Sequence, residues 1–295
     1  MKIGFTFTNY NNSALSIQAA QSIASNHGLD NYEIVFVDNA STEQERSILA
    51  APGALPANCR IIWNETNVGY FEGLNLGIEA LRVQDQKHDV IVIGNNDLVF
   101  EPSFFAGLSK SAGKLAGHAV ISPSITTLDG VHQNPHVISG VSRFREVVWD
   151  LYFSNFALSR LISWAAREAR SLVTRKDHEH HGQEGPIYQG YGACYILTPK
   201  FFEKYGRLWS PGFVMGEEFF LARQLLAGGE QMYYVPDIGV RHHDHATVSK
   251  LPSRKLWEMT RQSHKIYRFF VSPYRSVMDN GKMPSDYDRK LHQAA

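Results

Sequence analysis

Cysteine is almost missing from this 295-residue chain, with Cys59 and Cys194 the only two. Two thiols cannot build a disulfide framework, and they suit a reducing cytosol in which both stay free. An excess of either charge is missing too. Lys plus Arg and Asp plus Glu each total 29, so no global field draws the chain to nucleic acid or to an anionic surface, and an anionic ligand must be held by local groups. No stretch reaches the roughly 18 uncharged apolar residues that a membrane-spanning helix needs. The opening Met1-Lys2-Ile3-Gly4-Phe5-Thr6-Phe7-Thr8 alternates rather than running apolar, which argues against a secretory signal. There is no Gly-x-Gly-x-x-Gly after the first strand and no Gly-x-x-x-x-Gly-Lys-Ser/Thr, which removes a dehydrogenase cradle and a P-loop.

What is present is an apolar fraction of 43%, ample for a core, arranged over the first hundred residues as strands alternating with helices. Strands are expected at Ile3–Thr8, Glu33–Asp38, Arg60–Trp63 and Val90–Gly94, the pattern of a mostly parallel sheet flanked by helices. Ser13 reads as the N-cap of a helix that Gly28 ends, Ser41 as the cap of a second running to about Ala51, and Tyr70–Arg82 as a third. A helix follows from Ser103 to about Leu115, then strands at Ala119–Ser122, Gln189–Leu197 and Gln231–Val235 and a helix at Glu217–Ala227. Residues 1–250 form one α/β domain, with a nucleotide-binding half at 1–100, a second half at 101–250 and an irregular helical insertion near 130–188. Residues 251–295 form a C-terminal helical extension.

Two segments of the insertion keep two readings. Phe144–Thr174 mixes Trp149, Phe153 and Trp164 with six nearby arginines, so it either lies on a membrane surface or packs on the core. Asp177-His178-Glu179-His180-His181 either binds metal or is a solvated polar loop.

The chemistry concentrates at strand ends. Asn95-Asn96-Asp97 follows the buried run Val90-Ile91-Val92-Ile93, and in open α/β sheets ligands bind beyond the carboxyl ends of strands. Asp97 there can hold a divalent cation, although all three residues also favour turns. Thr8-Asn9-Tyr10-Asn11 ends the first strand. Asp38-Asn39-Ala40-Ser41 ends the second, where Asp38 can cap a helix or accept from a base or a ribose. Asn64 to Asn75 is a polar turn opening a helix, whose N–H groups can face an anion or a sugar.

Taken in order, these blocks resemble the inverting family-2 glycosyltransferases of GT-A fold, especially their rhamnosyltransferase-like branch. The resemblance rests on Thr8-Asn9-Tyr10-Asn11, Val37-Asp38-Asn39-Ala40-Ser41-Thr42, Asn67-Val68-Gly69-Tyr70 with Gly73 and Asn75, and Asn95-Asn96-Asp97. It continues through Met215-Gly216-Glu217-Glu218 and Val235-Pro236-Asp237 with His242. It implies a single Rossmann-like GT-A domain that transfers one sugar from a nucleotide-diphosphate sugar to a hydroxyl of a glycan or lipid-linked acceptor. Donor contacts would come from Thr8, Asn9, Tyr10, Asp38, Asn67, Gly69, Asn75, Asn95 and Asn96. Mn²⁺ or Mg²⁺ would be bound by Asp97 with His242 or His245. Asn95 replaces the first aspartate of the family's Asp-x-Asp signature and lowers the negative charge there. Glu218, one methylene longer than the usual aspartate, would be the general base, with Glu217 able to serve. The implied setting is cytoplasmic, with peripheral association at the inner membrane face, no nucleic acid partner and an open oligomeric state. The alternative is a binding protein of the same fold without turnover.

Overall fold

The computed structural model describes residues 1–26, 31–83, 88–168, 177–243 and 253–274. Among them, β1 (Ile3–Asn9), β2 (Tyr32–Asn39), β3 (Cys59–Asn64), β4 (Val90–Asn95), β5 (Leu98–Val99), β6 (Val120–Thr127), β7 (Gly185–Ile187), β8 (Cys194–Leu197) and β9 (Met232–His242) form one sheet. Its order is β3-β2-β1-β4-β8-β6-β9-β5, with β7 paired to β9. The first four strands run parallel, as right-handed crossovers demand. Beyond β4 the sheet is mixed: β8 lies antiparallel to both β4 and β6, while β6 and β9 are parallel. Parallel pairs thus make up most of the ladder, as expected from the sequence, with β8, β5 and β7 as the antiparallel members.

Alternate residues of the central strands feed opposite faces, and both faces are buried. Ile34, Phe36, Val90 and Val92 join Phe5, Phe7, Phe100 and Phe104 in one core. Val35, Val37, Ile91 and Ile93 join Leu74, Ile78 and Leu81 in the other. Helices α1 (Ser13–Ala24), α2 (Glu43–Leu49), α3 (Tyr70–Arg82), α4 (Pro102–Lys110) and α5 (Ala112–Leu115) come from the first half of the chain. At about 2 kcal/mol per fully buried aliphatic or aromatic side chain, this double burial is the main stabilising term.

Several boundaries differ from the sequence reading for local reasons. The oxygen that caps α2 is that of Thr42, while Ser41 turns its hydroxyl to Asn9 and to the Asn11 N–H. Ser13 is the first helical residue of α1 behind Asn12, and Gly28 lies outside the described residues. The helix after Asp97 breaks at Ser111 into α4 and α5. Strand β8 begins only at Cys194, because Gly190 to Ala193 form a turn. β9 runs eleven residues, with a register shift that puts Pro236, Asp237 and Ile238 out of the ladder. Asp237 there pairs with Lys110 at 2.7 Å.

The insertion folds as a helical hairpin, α6 (Arg143–Ser154) and α7 (Phe156–Glu168). A third core ties it to the Glu217–Ala227 helix and to the C-terminal helix Ser253–Ile266 with its following turn. Trp209, Phe220, Tyr267, Phe270 and Val271 form that core, with Trp149 and Phe219 packed on it. Among the described residues no helix is long and apolar enough to cross a membrane.

Candidate active site

The rim at the ends of β1 and β2 is a closed hydrogen-bond frame. Asp38 is fully buried; it accepts from Asn9 Nδ2 at 2.8 Å, the Ser41 N–H at 3.1 Å and Arg46 Nε at 2.9 Å. Arg46 also donates to the Asn64 carbonyl. Asn9 Oδ1 accepts from Ser16 Oγ and from Asn96 Nδ2, which itself reaches the Asn12 carbonyl and Ser16 Oγ. Asn9, Asp38 and Asn96 thus lock the strand ends together. Thr8, Asn67 and Asn95 are only partly buried and Tyr10 is exposed, so these four present groups to the cleft.

Asp97 lies on the same rim and is handled differently. His242, 145 residues away in sequence, comes to it because β5 pairs antiparallel with the end of β9, placing Leu98 opposite His242. The two side chains are almost wholly buried, with His242 Nε2 3.1 Å from Asp97 Oδ1. Gln133 Oε1 sits 2.9 Å from His242 Nδ1 and orients the ring, while the Asn95 amide lies 3.3 Å from His242 Nε2. Asp97 Oδ1 nevertheless accepts no hydrogen bond among the described residues. An orphaned buried carboxylate oxygen beside an imidazole nitrogen is a donor set that fits a divalent cation. No third His, Cys, Asp or Glu among the described residues completes a protein cage. A cation held here would take its remaining ligands from substrate oxygens and water. His245 lies outside the described residues.

Across the cleft, the Glu217–Ala227 helix begins after two consecutive left-handed residues, Met215 at φ 73° and Gly216 at φ 90°. A methionine held there is strained by about 1–3 kcal/mol, and such strain clusters at functional sites. It delivers two adjacent acids. Glu217 is buried, with Oε1 accepting no hydrogen bond among the described residues. Burial, and secondly the Glu218 charge, push its carboxyl up to about 8. Glu218 is half-buried, its carboxyl also raised by burial; a Cβ placed on Gly192 would lie 3.4 Å from its Oε2. The Tyr70 hydroxyl donates to the Gly192 carbonyl at 3.1 Å. That phenol is held far above its ordinary value by burial and then by Glu217, Cys194, Asp97 and Glu218. Asp97, Glu217 and Glu218 thus all lie near enough to Tyr70 to raise its phenol.

Asn75 does not join this group. It is fully buried, and its amide brackets the Leu208 peptide, donating to the carbonyl and accepting from the N–H, both at 2.9 Å. These bonds anchor α3 to the Leu208 segment. Gly69 is also a packing residue: its φ of 92° and a Cβ clash at 2.3 Å with the Phe213 carbonyl require glycine. Asn67 caps that turn through the Gly69 N–H. Sequence reasoning missed Gln133, Tyr70, Ser16 and Arg46. Their signals are nonlocal, except for Ser16, seven residues after Asn9, and Arg46, eight residues after Asp38, each on the helix that follows.

Comparison with solved structures defines the class. The fold is that of the GT-A glycosyltransferases, shared with GalNAc-T7 crystallised with UDP, GalNAc and Mn²⁺ at 12% identity and a TM-score of 0.54. That match covers 90% of this chain and 48% of the other. Residues 1–349 of S. aureus TarS match at 14% identity and a TM-score of 0.50, covering 82% and 60%. The same protein in complex with UDP-GlcNAc matches at 12% and 0.53, covering 85% and 62%. In each case this chain spans less than two thirds of the compared one, and at such identities the likeness is one of fold. No curated protein sequence matches significantly. Residues 7–183, more than half of the chain, match Glycosyl transferase family 2. The protein belongs to that family.

Proposed function

We propose that the protein is an inverting glycosyltransferase that moves one sugar from a nucleoside-diphosphate sugar to a hydroxyl of a glycan or lipid-linked acceptor. The observation that supports this reading is the Asp97 oxygen without a hydrogen-bond donor beside His242, with the Glu217–Glu218 pair near the same Tyr70 side chain. The solved complexes of GalNAc-T7 and TarS, which hold UDP or UDP-GlcNAc, support the donor class.

In transfer, the acceptor oxygen forms a bond to the anomeric carbon while the carbon–phosphate oxygen bond breaks. The electron pair leaves with the nucleoside diphosphate, and the acceptor proton goes to a carboxylate. Glu218, half-buried and beside Gly192, takes that proton. Glu217, with its carboxyl near 8, stays protonated at neutral pH and keeps a second negative charge out of the pocket. Displacement from the face opposite the departing phosphate inverts the centre. Tyr10 offers an aromatic face to the base, while Thr8, Asn67 and Asn95 face the donor, and Asn9, Asp38 and Asn96 hold the frame beneath it. Asp97 and His242 would hold Mn²⁺ or Mg²⁺, which supplies charge neutralisation for the leaving diphosphate.

The test is release of nucleoside diphosphate from UDP-, GDP- and dTDP-sugars with Mn²⁺ present. Release that disappears in Asp97→Ala supports the reading. Nucleotide binding without release from any donor overturns it in favour of a binding protein.

A further inference from the structure

The α6–α7 hairpin is apolar on both sides. Its inner side is accounted for: Trp149 packs edge-on against Phe219 and Tyr267, and Phe153 lies on His264. The two acids of α6 also point inward. Glu146 accepts from the hydroxyls of Tyr267 and Ser272, and Asp150 pairs with His264 and Arg268.

Among the described residues the outer side has no such partners. Phe144, Val147 and Leu151 recur at i, i+3 and i+7, with Phe144 76% exposed. Leu161 and Trp164 repeat the pattern on α7, with Trp164 59% exposed. The exposed charges set among them are Arg143 and Arg160, and half-buried Arg145 lies over the Trp149 ring. Among the described side chains of the hairpin, no acid is exposed. Aromatic and aliphatic side chains interleaved with arginine alone, on a chain of zero net charge, complement a surface that is anionic outside and apolar beneath.

We propose that this hairpin docks the protein peripherally on an anionic lipid surface, with Phe144, Leu151, Leu161 and Trp164 at the acyl boundary and Arg143 and Arg160 on lipid phosphates. A second copy of the chain fits less well, because a two-fold interface would set these arginines against one another. Since Trp149 packs on Phe219, next to Glu218, docking brings the base-bearing helix close to the lipid surface. The inference is independent of the transfer reading, because its test reads partition rather than turnover.

The test is co-sedimentation of the full chain with vesicles of phosphatidylcholine alone and of phosphatidylcholine mixed with phosphatidylglycerol. Binding to the mixed vesicles only, weakened by salt, is expected. Arg143→Glu with Arg160→Glu, or Leu161→Ser with Trp164→Ser, should each lower partition about tenfold or more. Donor hydrolysis in solution should stay unchanged in both variants. Quenching of wild-type tryptophan fluorescence by brominated lipid gives a readout that needs no variant. Absence of binding to the mixed vesicles overturns the proposal, as does a salt-resistant dimer that the same substitutions dissolve. A soluble acidic protein displacing the vesicles from an otherwise unquenched protein also overturns it.

Discussion

Asp38 at the end of β2 and Asp97 just beyond β4 are buried to nearly the same degree, yet their surroundings are opposite. Asp38 has three donors and no exposure. Asp97 carries an oxygen with no donor, 3.1 Å from an imidazole nitrogen. Removing a carboxylate from water costs several kcal/mol unless hydrogen bonds or a counter-charge replace the solvent. Asp38 meets that cost within the chain and is part of the frame. Asp97 leaves one oxygen without a hydrogen-bond donor among the described residues, with only the His242 ring beside it, and burial alone would not have told the two apart.

The comparison breaks most readily at Asp97. Asp97→Ala should lower nucleoside diphosphate release by about 10⁴-fold or more, since charge stabilisation at the leaving group is the largest single term in such sites. Its thermal midpoint should fall far less than that of Asp38→Ala, because among the described residues only the His242 ring loses a contact. A variant that unfolds as easily as one at Asp38 would show that Asp97 belongs to the frame.

Next comes the acid pair. Glu218→Gln should keep nucleotide binding by calorimetry and lose turnover by about 10²- to 10⁴-fold, the usual share of a general base. Normal turnover would move the base to Glu217.

Asp38→Ala should act on the other side of the comparison and cost about 3 kcal/mol of stability, read by chemical denaturation. It removes the shared acceptor of the Asn9 amide, the Ser41 N–H and the Arg46 guanidinium, of which Asn9 keeps Ser41 Oγ and Arg46 keeps the Asn64 carbonyl. Arg46 is partly exposed and can turn to water, which keeps the cost at the low end of the range for broken buried pairs.

How legible all this was in the sequence depended on distance along the chain. The first four strands and α3 could be read from apolar runs and helical spacing, with α3 matching at both ends, because local burial fixes them. The ends of β1, β2 and β4 were legible as polar clusters, but which members face the cleft was not. Asn75 and Asn95 look alike in sequence. One brackets Leu208 and the other reaches His242, and both partners lie over 130 residues away. The two-residue β5 is too short to leave any periodic signal, yet its pairing with β9 delivers His242 to Asp97. The mixed second half of the sheet was hidden for a similar reason: strands buried on both faces read as apolar runs in either direction.

The smallest expected effect separates the two acids of the pair. Glu217 has an ordinary carboxyl value of 4.5 and a folded one near 8. Between those values the folded chain retains a proton that the unfolded chain releases, so this group's contribution to stability falls as pH rises through the window. Glu217→Gln removes that dependence. Relative to wild type it should gain up to about 2 kcal/mol between roughly pH 5.5 and pH 7, read as a thermal midpoint difference that widens with pH. A pH-independent offset for Glu217→Gln would mean that its buried carboxyl is already ionised, leaving two adjacent negative charges in the pocket and no reason to favour Glu218 as the base.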